Sequence, residues 1–185
     1  MWLRYIIITL LFFIAALMQA SFVPYFGIKG IMPNVVFALF FLLIFLKKPY
    51  AYYYQQSNYL LYNSLLSYEG LFIVIVAGFF LDIFSSSYFG LSLLSLLMVY
   101  FIVKTLVYFL REQQNRYMVF YFLLIFPCAF FVHTIFLQSF SGPITFNSIL
   151  LFEFLYTLVV ACTVFYGYKG YIELIKQDRQ LRLFD

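Results

Sequence analysis

Six long apolar runs, separated by short polar stretches, occupy most of the chain. Because a helix that crosses a bilayer needs about 20 mostly apolar residues, we interpret each run as a transmembrane helix. The second and third runs are short, so we expect them to borrow flanking residues, thin the bilayer locally or lie sheltered inside the bundle. The predicted helices are Tyr5 to Val23, Ile31 to Leu46, Gly70 to Phe84, Leu91 to Leu110, Tyr117 to Phe140 and Ile149 to Tyr168.

The composition excludes an ordinary water-soluble domain. Hydrophobic residues make up 66% of the 185 residues and charged residues only 10%, and the mean hydropathy is +1.00. A soluble domain of this length would leave roughly 30% of its unfolded-chain surface in water, which so few charged residues cannot cover. The sequence therefore predicts an all-α integral membrane protein with a single transmembrane domain over residues 1–185.

The first apolar run has one alternative interpretation, a cleaved signal peptide, because it follows Arg4 and ends in Met-Gln-Ala-Ser. The apolar region of a signal peptide spans about 7 to 15 residues, and this run is longer. Met18 also suits a cleavage site after Ala20 poorly. We therefore interpret the run as the first transmembrane helix.

Basic residues divide unevenly between the two sides of the six-helix arrangement. Lys29 alone falls on one side, and nine Lys and Arg residues fall on the other. Since basic residues favour cytoplasmic loops, both termini are predicted to be cytoplasmic, which is an N-in/C-in topology. Lys104, inside the fourth helix, is expected to extend its side chain to the headgroups. The nine are Arg4, Lys47, Lys48, Arg111, Arg116, Lys169, Lys176, Arg179 and Arg182.

The same clustering of charge bears on partners. The basic residues lie in short groups between apolar runs rather than along one face, so the net charge of +4 indicates topology and no nucleic-acid partner.

The tyrosine-rich segment from Lys47 to Glu69 is either a flexible loop or partly an amphipathic helix along the inner leaflet. The tail from Gly170 to Asp185 is either solvated or an extension of the sixth helix resting on anionic membrane lipids.

An acidic residue stands close to the outer surface between the third and fourth helices. The connection reads GFFLDIFSSSYFG from Gly78 to Gly90, and Asp82 precedes its serine-rich turn by one helical turn. Asp82 is either a functional group at membrane depth or a hydrated helix-end residue. It could accept hydrogen bonds from backbone amides or from the serines at 85–87, and Gly90 permits a left-handed turn.

Two blocks of sequence carry a resemblance to a known family. The first is QASFVPYFGIKGIMPNVVFALFFL, which starts at Gln19 and contains Pro33 and Asn34 at the start of the second helix. The second is GFFLDIFSSSYFGLSLLSLLMVYFIV, which starts at Gly78 and contains Asp82 and Gly90. Both blocks, and the size and six-helix plan of the chain, resemble the rod shape-determining protein MreD family of bacterial cell-wall elongation. The loop over 47–69 looks longer than is usual in that family.

The resemblance implies a non-enzymatic, multi-pass protein of the bacterial inner membrane that maintains rod shape. The partners it implies are MreC, the MreB filament, the glycosyltransferase RodA and its class B penicillin-binding transpeptidase. The family is also similar in fold to the substrate-binding subunits of energy-coupling-factor vitamin transporters, which supplies a second hypothesis of small-molecule binding. The resemblance points to six residues for structure or partner binding: Gln19, Pro33, Asn34, Gly78, Asp82 and Gly90.

The sequence offers little catalytic chemistry. We find no GxxxxGK[ST], GxSxG, HExxH or CxxC pattern, and Cys128 and Cys162 have no second ligand at metal-binding spacing, so we predict neither enzyme nor cofactor. His133 is either a hydrogen-bonded packing residue or a ligand and proton-relay group. Six polar residues fall in the outer half of the predicted bundle, which indicates either an outward-facing pocket or helix ends near water: Gln19, Asn34, Asp82, His133, Gln138 and Glu153.

Overall fold

All regular elements in the described part of the chain are helical, as predicted. The computed structural model describes residues 2–27, 30–46, 68–85, 88–109, 118–141 and 148–181. A short 3₁₀ helix, Val23–Phe26, follows the first α-helix. The α-helices are α1 (Trp2–Ser21), α2 (Val35–Leu46), α3 (Tyr68–Phe84), α4 (Leu91–Phe109), α5 (Met118–Ser141) and α6 (Ser148–Leu181).

The observed bounds differ from the predicted ones by four or more residues at two places. α2 begins at Val35 rather than Ile31, because Pro33 disfavours helical backbone at the residue before it and Asn34 caps the first turn. α6 continues to Leu181, well beyond Tyr168, so the backbone of the tail does extend the sixth helix. The tyrosine-rich segment over 47–67 lies outside the described residues.

Within the described residues, three helices are long and apolar enough to cross a membrane. They are Trp2–Ser21, Val119–Phe140 and Ser148–Gly170, while the apolar stretches Val35–Leu46 and Leu91–Val107 are shorter. α1, and α6 over Ser148–Gly170, leave many apolar side chains exposed on the outside of the bundle. Such surfaces are stable against lipid tails and not against water, so they are consistent with a membrane location.

The packing of α1, α3 and α4 shows the relative directions of these helices. α1 and α3 run parallel, since the rings of Tyr5 and Phe72 lie 4.7 Å apart and those of Phe13 and Phe80 lie 5.7 Å apart. α3 and α4 form an antiparallel hairpin, because the last turn of α3 bonds to the first turn of α4 through Asp82. α1 and α3 therefore end on the same side of the bundle, where α4 begins.

The packing of α2, α5 and α6 completes an alternating order. Ring pairs join α2 and α5 in antiparallel order, among them Phe37 with Phe130, Phe41 with Phe126 and Phe45 with Phe122. α6 runs parallel to α2, since Thr157 bonds to Asn34 before α2 and Phe165 packs on Phe45 near its end. Successive described helices thus alternate in direction. We call the end at which α2 and α4 begin the capped end.

α2 is the central helix of this bundle. It is apolar all round, and α1, α3, α4, α5 and α6 all contact it. Around it, α1 contacts α3, α3 contacts α4, α4 contacts α5, and α5 contacts α6, whereas the backbones of the described residues of α1 and α6 do not approach each other closely. The ring around α2 is therefore open on the side between α1 and α6.

Lys104 lies inside this bundle rather than extending to the headgroups as predicted. Its side chain is buried, with 8% of its surface exposed. It shares one face of α4 with Tyr100, Val103 and Val107, which are all buried, because positions three or four apart project from the same side of a helix. Lys104 is buried, rather than extended to the headgroups, because it lies on that core-facing side of α4.

Candidate functional site

Asp82 fixes the start of α4. Its side chain is 5% exposed, and its two carboxylate oxygens accept backbone N–H bonds from Gly90 and Ser92, both at 2.9 Å. Gly90 is the N-cap, since its carbonyl accepts the first intrahelical bond from Leu94. The carboxylate therefore satisfies two otherwise unpaired N–H groups and lies at the positive end of the α4 dipole. The expectation that Asp82 accepts backbone amides is confirmed, while Ser85 donates to the Asp82 main-chain carbonyl at 3.4 Å.

Two glycines allow this hairpin to close. Gly90 has a φ of +92°, a left-handed conformation that favours glycine. Gly78 lies one turn before Asp82, and a Cβ atom there would stand 2.6 Å from Cα of Leu93. That separation is much shorter than a van der Waals contact distance. α3 and α4 therefore approach this closely only because Gly78 has no side chain. Gly78, Asp82 and Gly90 thus belong to one structural unit.

The start of α2 is capped in a similar way by polar side chains. Oδ1 of Asn34 accepts the N–H of Phe37 at 2.9 Å, which is an ordinary N-cap bond. Oε1 of Gln19, from the last turn of α1, accepts the N–H of Val36 at 3.0 Å. Each of the two blocks singled out in the sequence therefore holds a helix start with a polar side chain from the end of the preceding helix.

α6 fixes the position of this α2 cap. The hydroxyl of Thr157 accepts the backbone N–H of Asn34 at 3.1 Å and donates to the carbonyl of Glu153 at 2.7 Å. Tyr156 donates to the carbonyl of Phe26 at 3.2 Å. The connection from α1 to α2 is therefore held against α6 at two points.

A cavity of about 330 Å³ lies above the start of α2. Thr157, which meets the α2 cap, lies nine residues into α6, so α2 begins about 13 Å deeper than α6 at the helical rise of about 1.5 Å per residue. The cavity occupies part of this recess. Its polar lining comes from Gln19, Asn34, Ser85 and Glu153, and its apolar lining is Ala16, Ala20, Pro24, Met32, Pro33, Val36, Phe80, Leu81 and Phe84.

The lining of the cavity is mostly apolar and contains one acidic group. The amide oxygens of Gln19 and Asn34 are engaged by backbone N–H groups, which leaves their NH₂ groups as donors. Glu153 supplies a carboxyl group and is the one ionisable residue in the described lining. The site can therefore hold a molecule that carries both a hydrogen-bond donor and an acceptor.

His133 serves packing rather than the cavity. Its side chain is 1% exposed, Nδ1 lies 2.6 Å from the hydroxyl of Ser95, and its ring stacks on Phe37 at 4.9 Å. These contacts join α5 to α4 and α2, as the interpretation of a hydrogen-bonded packing histidine requires. Cys128 and Cys162 are free thiols, and the described residues contain no cluster of potential metal ligands.

The structure brings the six predicted site residues to one end of the bundle in two groups. Gln19, Pro33 and Asn34 line the cavity, and Gly78, Asp82 and Gly90 form the neighbouring hairpin, whose residues Leu81 and Phe84 also line it. Sequence reasoning did not connect Thr157 with Asn34, since they lie 123 positions apart. The local signal that could have indicated this site is the spacing of Glu153 and Thr157, which are four residues apart and therefore share one face of α6.

Comparisons with protein-family models, with curated proteins and with solved structures found no match.

Proposed function

We propose that this chain is a six-span protein of the bacterial inner membrane that scaffolds the cell-wall elongation machinery, and that MreC and the peptidoglycan synthase complex are its partners. The role is non-enzymatic: the chain would hold partner proteins at a defined position in the membrane. Its proposed partners include the MreB filament, RodA and the class B penicillin-binding transpeptidase.

The alternating directions of α1 to α6 support the six-span part of the proposal. In the part of the chain that the structure describes, three helices meet the length and hydropathy of a span on their own, and the shorter helices pack with them in one bundle. Arg4 and Glu69, whose side-chain N and O atoms lie 3.7 Å apart, bring the starts of α1 and α3 to the end opposite the capped end. Under the proposed N-in/C-in topology the predicted basic loops share that end, as cytoplasmic segments do.

The observation that carries the functional proposal is the convergence of the two MreD-like blocks at the capped end. The first block supplies Gln19 and Asn34 to the start of α2, and the second supplies Asp82 to the start of α4. Distant parts of the sequence thus meet at hydrogen-bonded helix starts beside one cavity. A rigid surface binds a partner without a large ordering cost, which suits a scaffold.

The cavity favours a second candidate, a small-molecule-binding subunit of a transporter. Ligand pockets usually range from about 300 to 1,000 Å³ and combine apolar walls with a few polar groups. The cavity of about 330 Å³ is at the lower limit of this range and has that composition. A vitamin-sized ligand in contact with Gln19, Asn34 and Glu153 would be its occupant.

Co-purification separates the two candidates. We would extract the tagged full-length chain from a rod-shaped bacterial host in mild detergent and identify the associated proteins and small molecules by mass spectrometry. Recovery of MreC or the RodA complex, absent from a control with an unrelated multi-pass protein carrying the same tag, is the expected result. Recovery of an ATPase module and a vitamin in their place would refute the scaffold.

A further inference from the structure

The cavity at the capped end spans the opening between α1 and α6. Its walls include Gln19 from α1 and Glu153 from α6, although the backbones of these two helices do not approach each other closely among the described residues. Pro24 and the nearby connection to α2 lie along the cavity, held to α6 by Tyr156. The cavity therefore lies in the gap that the backbones of these two helices leave at the capped end.

An apolar face of α2 continues from the cavity along this opening. Eight of the twelve residues of α2 are buried, and the remaining four are only partly buried. Their spacing of three or four residues puts them on one face of the helix, and among the described helices the ring around α2 is open only between α1 and α6. We call this opening the α1–α6 cleft, and its α2 face consists of Val35, Leu39, Leu43 and Leu46.

The polar groups at the top of the cleft have a definite chemical preference. No Lys, Arg or His among the described residues forms an ion pair with Glu153, and the salt bridge that those residues do contain, Arg4 with Glu69, lies at the other end of the bundle. Glu153 thus provides an acceptor for a cation. The NH₂ groups of Gln19 and Asn34 provide donors on the facing walls.

We propose that the cavity binds the headgroup of a phospholipid that carries a primary ammonium, such as phosphatidylethanolamine, with an acyl chain in the α1–α6 cleft. The ammonium donates to Glu153 in a charge-assisted hydrogen bond, and the phosphate oxygens accept from Gln19 and Asn34. The acyl chain covers the aliphatic face of α2. A lipid fits better than a soluble ligand because the cleft opens between two helices whose outer surfaces are apolar.

Lipid titration with native mass spectrometry tests this proposal on the full-length chain in detergent. The probes are dioleoyl phosphatidylethanolamine, phosphatidylcholine and phosphatidylglycerol, which share acyl chains and differ in the headgroup. We expect the ethanolamine lipid to bind at least about tenfold more tightly than the other two, as a charge-assisted hydrogen bond to one carboxylate allows. Equal binding of the three lipids by the wild-type chain would refute ammonium recognition.

Two variants separate the headgroup contact from the cleft. Glu153→Gln keeps the side-chain size and should reduce binding of the ethanolamine lipid to the level of the choline lipid. Ala20→Trp places a large side chain from α1 in the cavity and should weaken the binding of all three lipids. Glu69→Gln, at the opposite end, and Ile14→Trp, at an exposed position of α1 outside the cavity, are the matched controls and should bind as wild type does.

Wild-type lipid preference in Glu153→Gln would overturn the proposal, as would unchanged binding of all lipids by Ala20→Trp. Saturable binding of a vitamin or a peptide that Ala20→Trp abolishes, with lipid binding unchanged, would also contradict it. The proposal does not rest on the elongation role, because it depends on the cavity and the cleft alone. Loss of partner co-purification would leave the lipid titration unaffected, so the two failures are distinguishable.

Discussion

At the residue scale, the Asp82 carboxylate has a structural role, because it accepts two backbone hydrogen bonds at the start of α4. Replacing it with Ala leaves the N–H groups of Gly90 and Ser92 without their acceptor in a buried turn. We expect Asp82→Ala to lower the unfolding free energy by roughly 1.5 to 3 kcal/mol and to reduce partner co-purification without preventing membrane insertion. Thermal unfolding in detergent and the pull-down measure the two effects. Asp82→Asn, which keeps one acceptor, should fall between Ala and wild type.

Wild-type thermal stability, partner recovery and cell shape for Asp82→Ala at normal expression would contradict this account. Asp82 would then be a hydrated helix-end residue, which was the alternative interpretation of the sequence. We do not expect wild-type behaviour of this variant, because α4 begins at Leu91, directly after the turn that Asp82 caps.

Gly78 and Gly90 are required for different physical reasons, and substitution can separate them. A Cβ at position 78 meets the backbone of Leu93, so Gly78→Ala should separate α3 from α4, and Leu93→Ala should not rescue it. At position 90 there is space for a Cβ but a φ of +92°, so Gly90→Val should cost about 1 to 3 kcal/mol through backbone strain. Gly90→Asn should cost less, because Asn tolerates left-handed backbone.

Thermal unfolding in detergent provides the measurement for the glycine variants. Gly167, in α6, has nothing within 4 Å of an added Cβ, so Gly167→Ala is a matched control that should not destabilise the protein. Full rescue of Gly78→Ala by Leu93→Ala would show that the close approach involves only the side chain and would contradict the backbone clash.

At the element scale, α2 and α4 have separate caps and should respond separately. Thr157→Val removes the acceptor of the Asn34 N–H while keeping the side-chain shape. We expect it to cost about 1 kcal/mol and to speed amide hydrogen exchange over 34–38, with no change over 90–94. Asp82→Ala should give the reverse pattern, since it removes the cap of α4 alone.

Hydrogen exchange followed by mass spectrometry in detergent measures both regions in one experiment. The two variants serve as controls for each other, because each leaves the other cap intact. Faster exchange at both helix starts in either variant would mean that the capped end opens as one unit, contrary to the separate hydrogen bonds observed.

At the scale of the whole molecule, topology is the central prediction. After replacement of Cys128 and Cys162, single cysteines introduced at Gln56 and Gln114 should be shielded from an impermeant thiol reagent in intact cells. A cysteine at Ser86 should be labelled, since the turn between α3 and α4 is predicted to be outside. Labelling at Gln56 without permeabilisation would overturn the proposed six-span arrangement.

The proposed function predicts a phenotype at the same scale. Depleting the protein in a rod-shaped host should produce rounded or widened cells, because the elongation machinery loses a membrane component. Light microscopy during depletion measures this, and re-expression of the wild-type chain is the control. Unchanged cell shape together with lost uptake of one vitamin would favour the transporter hypothesis.

The sequence by itself determined the class of the fold and the approximate helix bounds, since both depend on local properties. Length and hydropathy of each run predict a helix, and the bounds of α3 and α4 agree within two residues. The local turn from Asp82 to Gly90 could also be anticipated, because an acceptor near a helix end and a glycine after it suggest a capped turn. The predicted start of α2 was wrong by four residues, because Pro33 disfavours helical backbone at the residue before it.

Only the tertiary structure decided which faces pack, which helix is central and where the cavity lies. In a soluble helix the polar face marks the outside, but in this chain outward-facing and core-facing positions are both apolar, so hydrophobic periodicity cannot tell them apart. The exposed Ile14 of α1 and the buried Phe37 of α2 illustrate this. The approach of Thr157 to Asn34 across 123 positions, and with it the place of Glu153 in the cavity, follows from helix packing that no local pattern encodes.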